Sequence, residues 1–325
     1  MIADILAENM TDRKSVKTLS QQLLRGADEG LEISSTFSKW LQERFRHQLT
    51  WLDKDDYSRA LVRALWLAPV FAATDFGRSR QRDMGQVWTD TARGFLGEIA
   101  LSKFLTGRYG IEAKPDTSRG KLEEFLPTDI AKVRTEGGRW RKSRIKISVK
   151  TTKFNGRWLD LPGAQFEHSN VFVLVKIGIL RQHFLAFLKA ISFLKDKLFV
   201  SARNLGEISK KDAVKLWNEI PEFESIPAYI AGFLDKSTLT LPIDMIKAKT
   251  VGREDKKRIV ISQGVGLFSE ENVRQHPEIR GLDPSGRLPI EIEPIIDSLT
   301  ETHFLAHSGA LQYGKDRWDA LARLI

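Results

Sequence analysis

Apolar residues recur near helical spacing over 31–49, where Phe37, Trp40, Leu41 and Phe45 share a face, and again over 53–76 behind an Asp-rich start. Residues 1 to about 88 therefore read as helical. A further helix is predicted from an N-cap at Thr89 or Asp90, with Ala92, Phe95, Leu96, Ile99, Ala100, Phe104 and Leu105 on its apolar stripe. Glu98 stands beside that stripe, and Gly97 before it leaves room for close backbone approach.

The period then shortens to two. Residues 128–134 and 144–152 read as strands around a Gly137-Gly138 turn, with Ile145, Ile147 and Val149 alternating with Lys146, Ser148 and Lys150. The run 171–179 is nearly all apolar, as in a central buried strand. Residues 183–193 read as another strand, 211–220 as a helix, 228–234 and 238–241 as extended, and 314–325 as a closing helix. The order helix, strand, strand, strand, helix, strand predicts an α/β chain built on a mixed β-sheet flanked by helices. The expected division is a helical N-terminal region (1–88), an α/β core (89–245) and an α+β C-terminal extension (246–325).

Composition narrows the function classes. The chain has 325 residues, 42% of them apolar, and no cysteine. That content excludes intrinsic disorder, a disulfide scaffold, thiol catalysis and Cys-based metal centres. Pro69 and Lys176 interrupt the two most apolar runs, and neither approaches the ~20 residues that span a bilayer. No signal-peptide pattern is visible at the start, so a soluble, cytoplasmic protein without a membrane partner is expected.

The net charge of +9 is unevenly spread. Between Ala131 and Asp160 lie Lys132, Arg134, Arg139, Arg141, Lys142, Arg144, Lys146, Lys150, Lys153 and Arg157, opposed only by Glu136 and Asp160. Arg78, Arg80 and Arg82 form a smaller cluster in a loop-like stretch. Clustered bases are the footprint of a polyanion partner, nucleic acid first among them, with a solvated basic hairpin as the bland reading.

Three elements carry candidate chemistry: the helix with Gly97-Glu98, the strand opening Pro127-Thr128-Asp129, and the strand containing Ser148-Val149-Lys150. Together they suit metal-assisted phosphodiester hydrolysis. Mg²⁺ takes few carboxylate oxygens and leaves room for water and substrate phosphate. Asp129 is then the central metal ligand, the Val149 carbonyl a further ligand, and Lys150 the cation facing water and phosphate.

These residues resemble the PD-(D/E)xK nuclease superfamily, which includes the type II restriction endonucleases. The resemblance covers roughly residues 89–187: Gly-Glu-Ile-Ala in the helix, Thr-Asp-Ile, the hairpin, Ile-Ser-Val-Lys-Thr-Thr-Lys, and Val-Phe-Val-Leu-Val-Lys. It implies a restriction-endonuclease-like core, Mg²⁺-dependent sequence-specific cleavage of double-stranded DNA and a homodimer. Two departures stand out. Thr128 separates Pro127 from Asp129, and Ser148 stands where the family usually has Asp or Glu. The resemblance to the Ser-x-Lys variants implies a carboxylate supplied from elsewhere, by Glu98, by Glu167 or less readily by Asp160.

Two alternatives stay open: a DNA-binding protein with an inactive nuclease-like fold, and a structure-specific repair or recombination nuclease. The remaining candidates are weaker. His303 and His307 lack an HExxH context and read as surface histidines, and no GxxxxGK[ST] run offers a nucleotide-cofactor site. Trp140 and Trp158 lie in the basic segment, where they can stack on bases or pack in a core.

Overall fold

The computed structural model describes residues 1–26, 35–74, 83–116, 128–239, 245–292 and 302–325. Arg78, Arg80 and Arg82, Pro127, and residues 31–34 of the first expected helix lie outside them.

The chain opens with helices α1 (Ile2–Ala7), α2 (Arg13–Gly26) and α3 (Ser35–Lys39), the last continuing into a π-helical turn, Trp40–Arg46. Strand β1 (Leu49–Leu52) follows, then α4 (Lys54–Thr74) and α5 (Met84–Tyr109). A strand inside the first 88 residues corrects the all-helical reading. The start of α5 is also earlier than expected. Asp83 caps it, its carboxylate accepting from the Gln86 N–H at 2.8 Å, so Thr89 and Asp90 lie within the helix.

Next come β2 (Ile111–Pro115), β3 (Ile130–Thr135), β4 (Ile147–Lys153), β5 (Trp158–Pro162), α6 (Gly163–His168) and β6 (Val171–Ile177). They are followed by α7 (Gln182–Ala190), α8 (Phe199–Asn204), α9 (Lys210–Glu219) and β7 (Ile226–Asp235). Residues 182–190, read as a strand, are thus helical. Residues 236–238, at the edge of the expected 238–241 extension, form a 3₁₀ turn, and 240–241 lie outside the described residues. The last part holds β8 (Lys247–Val251), β9 (Arg258–Gln263), β10 (Val265–Phe268), α10 (Glu270–Gln275), α11 (Pro277–Leu282), β11 (Ile290–Ile292), β12 (His303–His307) and α12 (Lys315–Leu324).

The fold is mixed α/β. Its central sheet has the order β1-β7-β6-β4, with β4 parallel to β6 and the other pairs antiparallel. Strand β6 occupies an interior place, and its residues alternate between two cores. Val171, Val173, Val175 and Ile177 pack toward α4, α5 and α12, while Phe172 and Leu174 face Leu6, Leu19, Phe45 and Phe304. Burying each such side chain stabilises the fold by about 1.5–3 kcal/mol. The other face also buries Lys176, whose Nζ donates to Ser308 Oγ at 3.2 Å.

Two further three-stranded sheets, β10-β12-β5 and β11-β9-β8, flank this layer, and β2 and β3 form an antiparallel ribbon. The ribbon joins the β4 edge, where the Asp129 N–H donates to the Ile147 carbonyl at 2.7 Å.

Packing contacts cross both expected boundaries, near 88 and near 245. From the N-terminal region β1 pairs with β7, and from the C-terminal region Trp318 stacks edge-on against Phe104 of α5 and Phe233 of β7. Arg44 ties the same parts together. Its guanidinium is buried and donates to the carbonyls of Ala231 (2.7 Å) and Ser308 (2.5 Å). Among the described residues no helix is long and apolar enough to cross a membrane.

Candidate active site

Asp129 sits where the ribbon meets the central sheet. Its Oδ2 accepts the Val149 N–H at 2.6 Å and the Ser148 hydroxyl at 3.2 Å. Oδ1 accepts no hydrogen bond among the described residues. Ser148 thus helps to hold the Asp129 carboxylate in place. Because the N–H and C=O of one strand residue leave the same edge, the Val149 carbonyl is on the Asp129 side of β4. Burial holds the Asp129 carboxyl above its ordinary range, offset by these donors and by the Lys150 charge.

Glu98 reaches the same place from α5. The helix lies against β4 because Gly97 meets Thr151 where no side chain fits, and the Thr151 hydroxyl donates to the Gly94 carbonyl at 3.3 Å. Glu98 Oε2 is buried without a hydrogen-bond partner among the described residues, and the nearest cation, Arg63, stands 3.7 Å away. Burial raises its pKa well above the usual carboxylate value, and the Asp129 charge adds to the rise. Two carboxylates from different elements therefore share one site at a mutual electrostatic cost.

Lys150 follows one residue after Val149. Its ammonium donates to Gln165 Oε1 of α6, and burial lowers its pKa while Asp129, Asp160 and Glu98 oppose that shift. A half-buried lysine held by a neutral acceptor beside two carboxylates is poised to meet an anion.

Two participants carried no sequence signal. Asp116 ends β2 opposite Asp129, its N–H donating to the Asp129 carbonyl at 2.9 Å, and its charge acts on both Glu98 and Asp129. Arg63 of α4 donates to the Asp116 carbonyl at 2.8 Å and lies over the Phe95 ring, joining the Glu98 and Asp116 sides. Only the strand register and the α4–α5 packing bring these together. Gln165 was missed for the same reason.

The other expected residues are distributed as follows. Glu167 is 73% exposed and pairs with Lys236 at 3.4 Å, and the anions acting on Lys150 are Asp129, Asp160 and Glu98. Asp160 bonds His303 Nδ1 at 2.7 Å, and His307 is buried against Trp158, which corrects the surface reading of both histidines. Trp158 is core and unavailable for base stacking.

Arg139, Arg141, Lys142, Arg144, Lys146 and Lys153 are exposed, with Arg141 also donating to the Ile325 carbonyl at 2.7 Å. Arg134 pairs with Glu112, and Arg157 is half-buried and donates to the Arg25 carbonyl. No family model, curated protein or solved structure matches the chain.

Proposed function

We propose that this chain is a Mg²⁺-dependent DNA endonuclease of the PD-(D/E)xK type, a sequence-specific restriction-endonuclease-like enzyme acting as a homodimer. The observation that carries the reading is the convergence of Glu98, Asp129 and Lys150 from a helix, a ribbon and a strand onto one half-buried site, where their charges act on one another. The parallel β4–β6 pair with α6 between its strands, and α5 packed across the sheet, are consistent with the core such enzymes use.

The donors fit a hard divalent cation. Glu98 Oε2 is a buried oxygen with no hydrogen bond, Asp129 keeps Oδ1 free of donors among the described residues, and the Val149 carbonyl leaves the same strand edge. Among the described residues no group of three acidic or histidine side chains forms a complete cage. Mg²⁺ is commonly held by one or two carboxylates, with waters and substrate phosphate completing the shell. When bound, Mg²⁺ would acidify a water and neutralise charge developing on the phosphate.

The protein's own groups divide the remaining work. Lys150 holds the scissile phosphate as a point charge and orients the attacking water, and Gln165 fixes the direction of its ammonium. Ser148 and the Val149 amide fix the Asp129 carboxylate. The exposed bases of residues 139–146 supply backbone contacts that place DNA without reading its sequence.

The test is incubation of wild type and Lys150→Ala with supercoiled plasmid and phage DNA, in Mg²⁺ or EDTA. Discrete fragments from wild type in Mg²⁺ alone are expected. Intact DNA in every lane with a retained gel shift would overturn catalysis in favour of a binding protein. Nicking without fixed fragments would favour a structure-specific nuclease.

A further inference from the structure

The outer face of the β2–β3 ribbon breaks a pairing rule. Its inner residues, Ile111, Ala113, Ile130 and Val133, are buried in the main core. On the outer face Glu112 opposes Arg134 in an ion pair of 2.6 Å, but the next pair along is Lys114 opposite Lys132. Like charges directly opposite each other destabilise a ribbon. Both lysines are exposed, and neither forms an ion pair among the described residues. Trp140 lies across this face, with Lys114 Nζ 4.2 Å and the Arg134 guanidinium 4.7 Å from its ring centroid. The ring holds the Lys114 stem in place while the repulsion with Lys132 persists.

The position of the pair gives it a use. Lys114 precedes Asp116 by two residues and Lys132 follows Asp129 by three. At a strand rise of ~3.3 Å per residue the pair lies roughly 7–10 Å from the acidic cluster. Along a DNA strand that distance corresponds to about two or three nucleotides of axial rise.

We propose that Lys114 and Lys132 form a shared phosphate-binding site that grips the DNA backbone about two or three nucleotides from the scissile phosphate, with Trp140 ordering Lys114. This rests on the nuclease reading above. A bound phosphate replaces cross-strand repulsion with two attractions, so the ribbon's unfavourable pair becomes favourable only on the substrate.

The test is Lys114→Glu, which puts opposite charges across the ribbon and so preserves its fold. Lys215→Glu, an exposed change on α9, is the control for net charge. DNA binding is measured in EDTA across a series of NaCl concentrations, with Tm recorded for each protein. Lys114→Glu is expected to keep or raise Tm, bind at least tenfold more weakly than the control, and lower the log–log salt slope by about one unit. Equal affinity and slope for the two variants would overturn the phosphate site. If wild type cuts DNA and the variants bind alike, the ribbon site alone falls. If wild type neither binds nor cuts DNA, the nuclease reading and the ribbon site fall together.

Discussion

A methyl group on Gly97 would stand 1.9 Å from Thr151 Oγ1 and 3.2 Å from its Cβ. Helix α5 and strand β4 thus touch backbone to side chain, and the next residue in the helix, Glu98, is held beside the strand that carries Lys150. A contact of this kind sets the distance between the helix and the strand more tightly than apolar packing alone.

Gly97→Ala is therefore expected to cost about 1–3 kcal/mol, because Thr151 or the helix must move. Adding Thr151→Ala should recover part of that loss. Urea unfolding of the two single variants and the double variant measures the coupling. Strict additivity would show that the two residues do not constrain each other.

The half-buried carboxyls make a pH-dependent prediction. Burial raises the pKa of Glu98 and Asp129 in the folded protein, so between the ordinary carboxylate value and the raised one the native state holds protons that the unfolded chain releases. Their contribution is fully present below the ordinary value and is lost as pH rises through the raised one. Lys150 is depressed, so its contribution is present above its ordinary value of 10.5 and lost as pH falls through the lowered one. Metal-free wild type should accordingly lose more stability between pH 5 and pH 8 than Glu98→Gln. Denaturation curves in EDTA read the difference, and parallel pH profiles would remove Glu98 as the source.

Cleavage assays separate the two glutamates. Glu98→Gln should abolish Mg²⁺-dependent cutting, whereas Glu167→Ala should retain it within severalfold, since Glu167 is solvent-facing and engaged with Lys236. The reverse result would move the second carboxylate to α6.

Arg44 predicts cooperative unfolding. Arg44→Met leaves the buried carbonyls of Ala231 and Ser308 without their donor, at about 1–3 kcal/mol for each. Because Arg44 links the N-terminal part to both β7 and the C-terminal part, tryptophan fluorescence and far-UV circular dichroism should still report one coincident transition in wild type. Separate transitions would instead support the three-part division.

Elements whose pattern is local were legible in the sequence. Strand β4 showed its alternation and β6 its continuous apolar run, and α5 showed a long stripe. The α7 segment was misread because a short apolar run such as His183–Leu188 carries both periods. Strand β1 was missed because four residues between helical stretches become a strand only through β7, far along the chain. The same division applies to the site. Glu98, Asp129 and Lys150 announce themselves by type and placement. Asp116 depends on the ribbon register, Arg63 on how α4 crosses α5, and Gln165 on where α6 lands.

The interleaving of early and late elements governs when the site comes into existence. Strand β1 waits for β7, and α5 completes its packing only when Trp318 arrives on α12. During synthesis the ribosome therefore releases Glu98, Asp129 and Lys150 long before the scaffold that aligns them is whole. A site built this way is only a set of separate segments on the nascent chain, and it is assembled when the late strands and α12 fold onto the early ones.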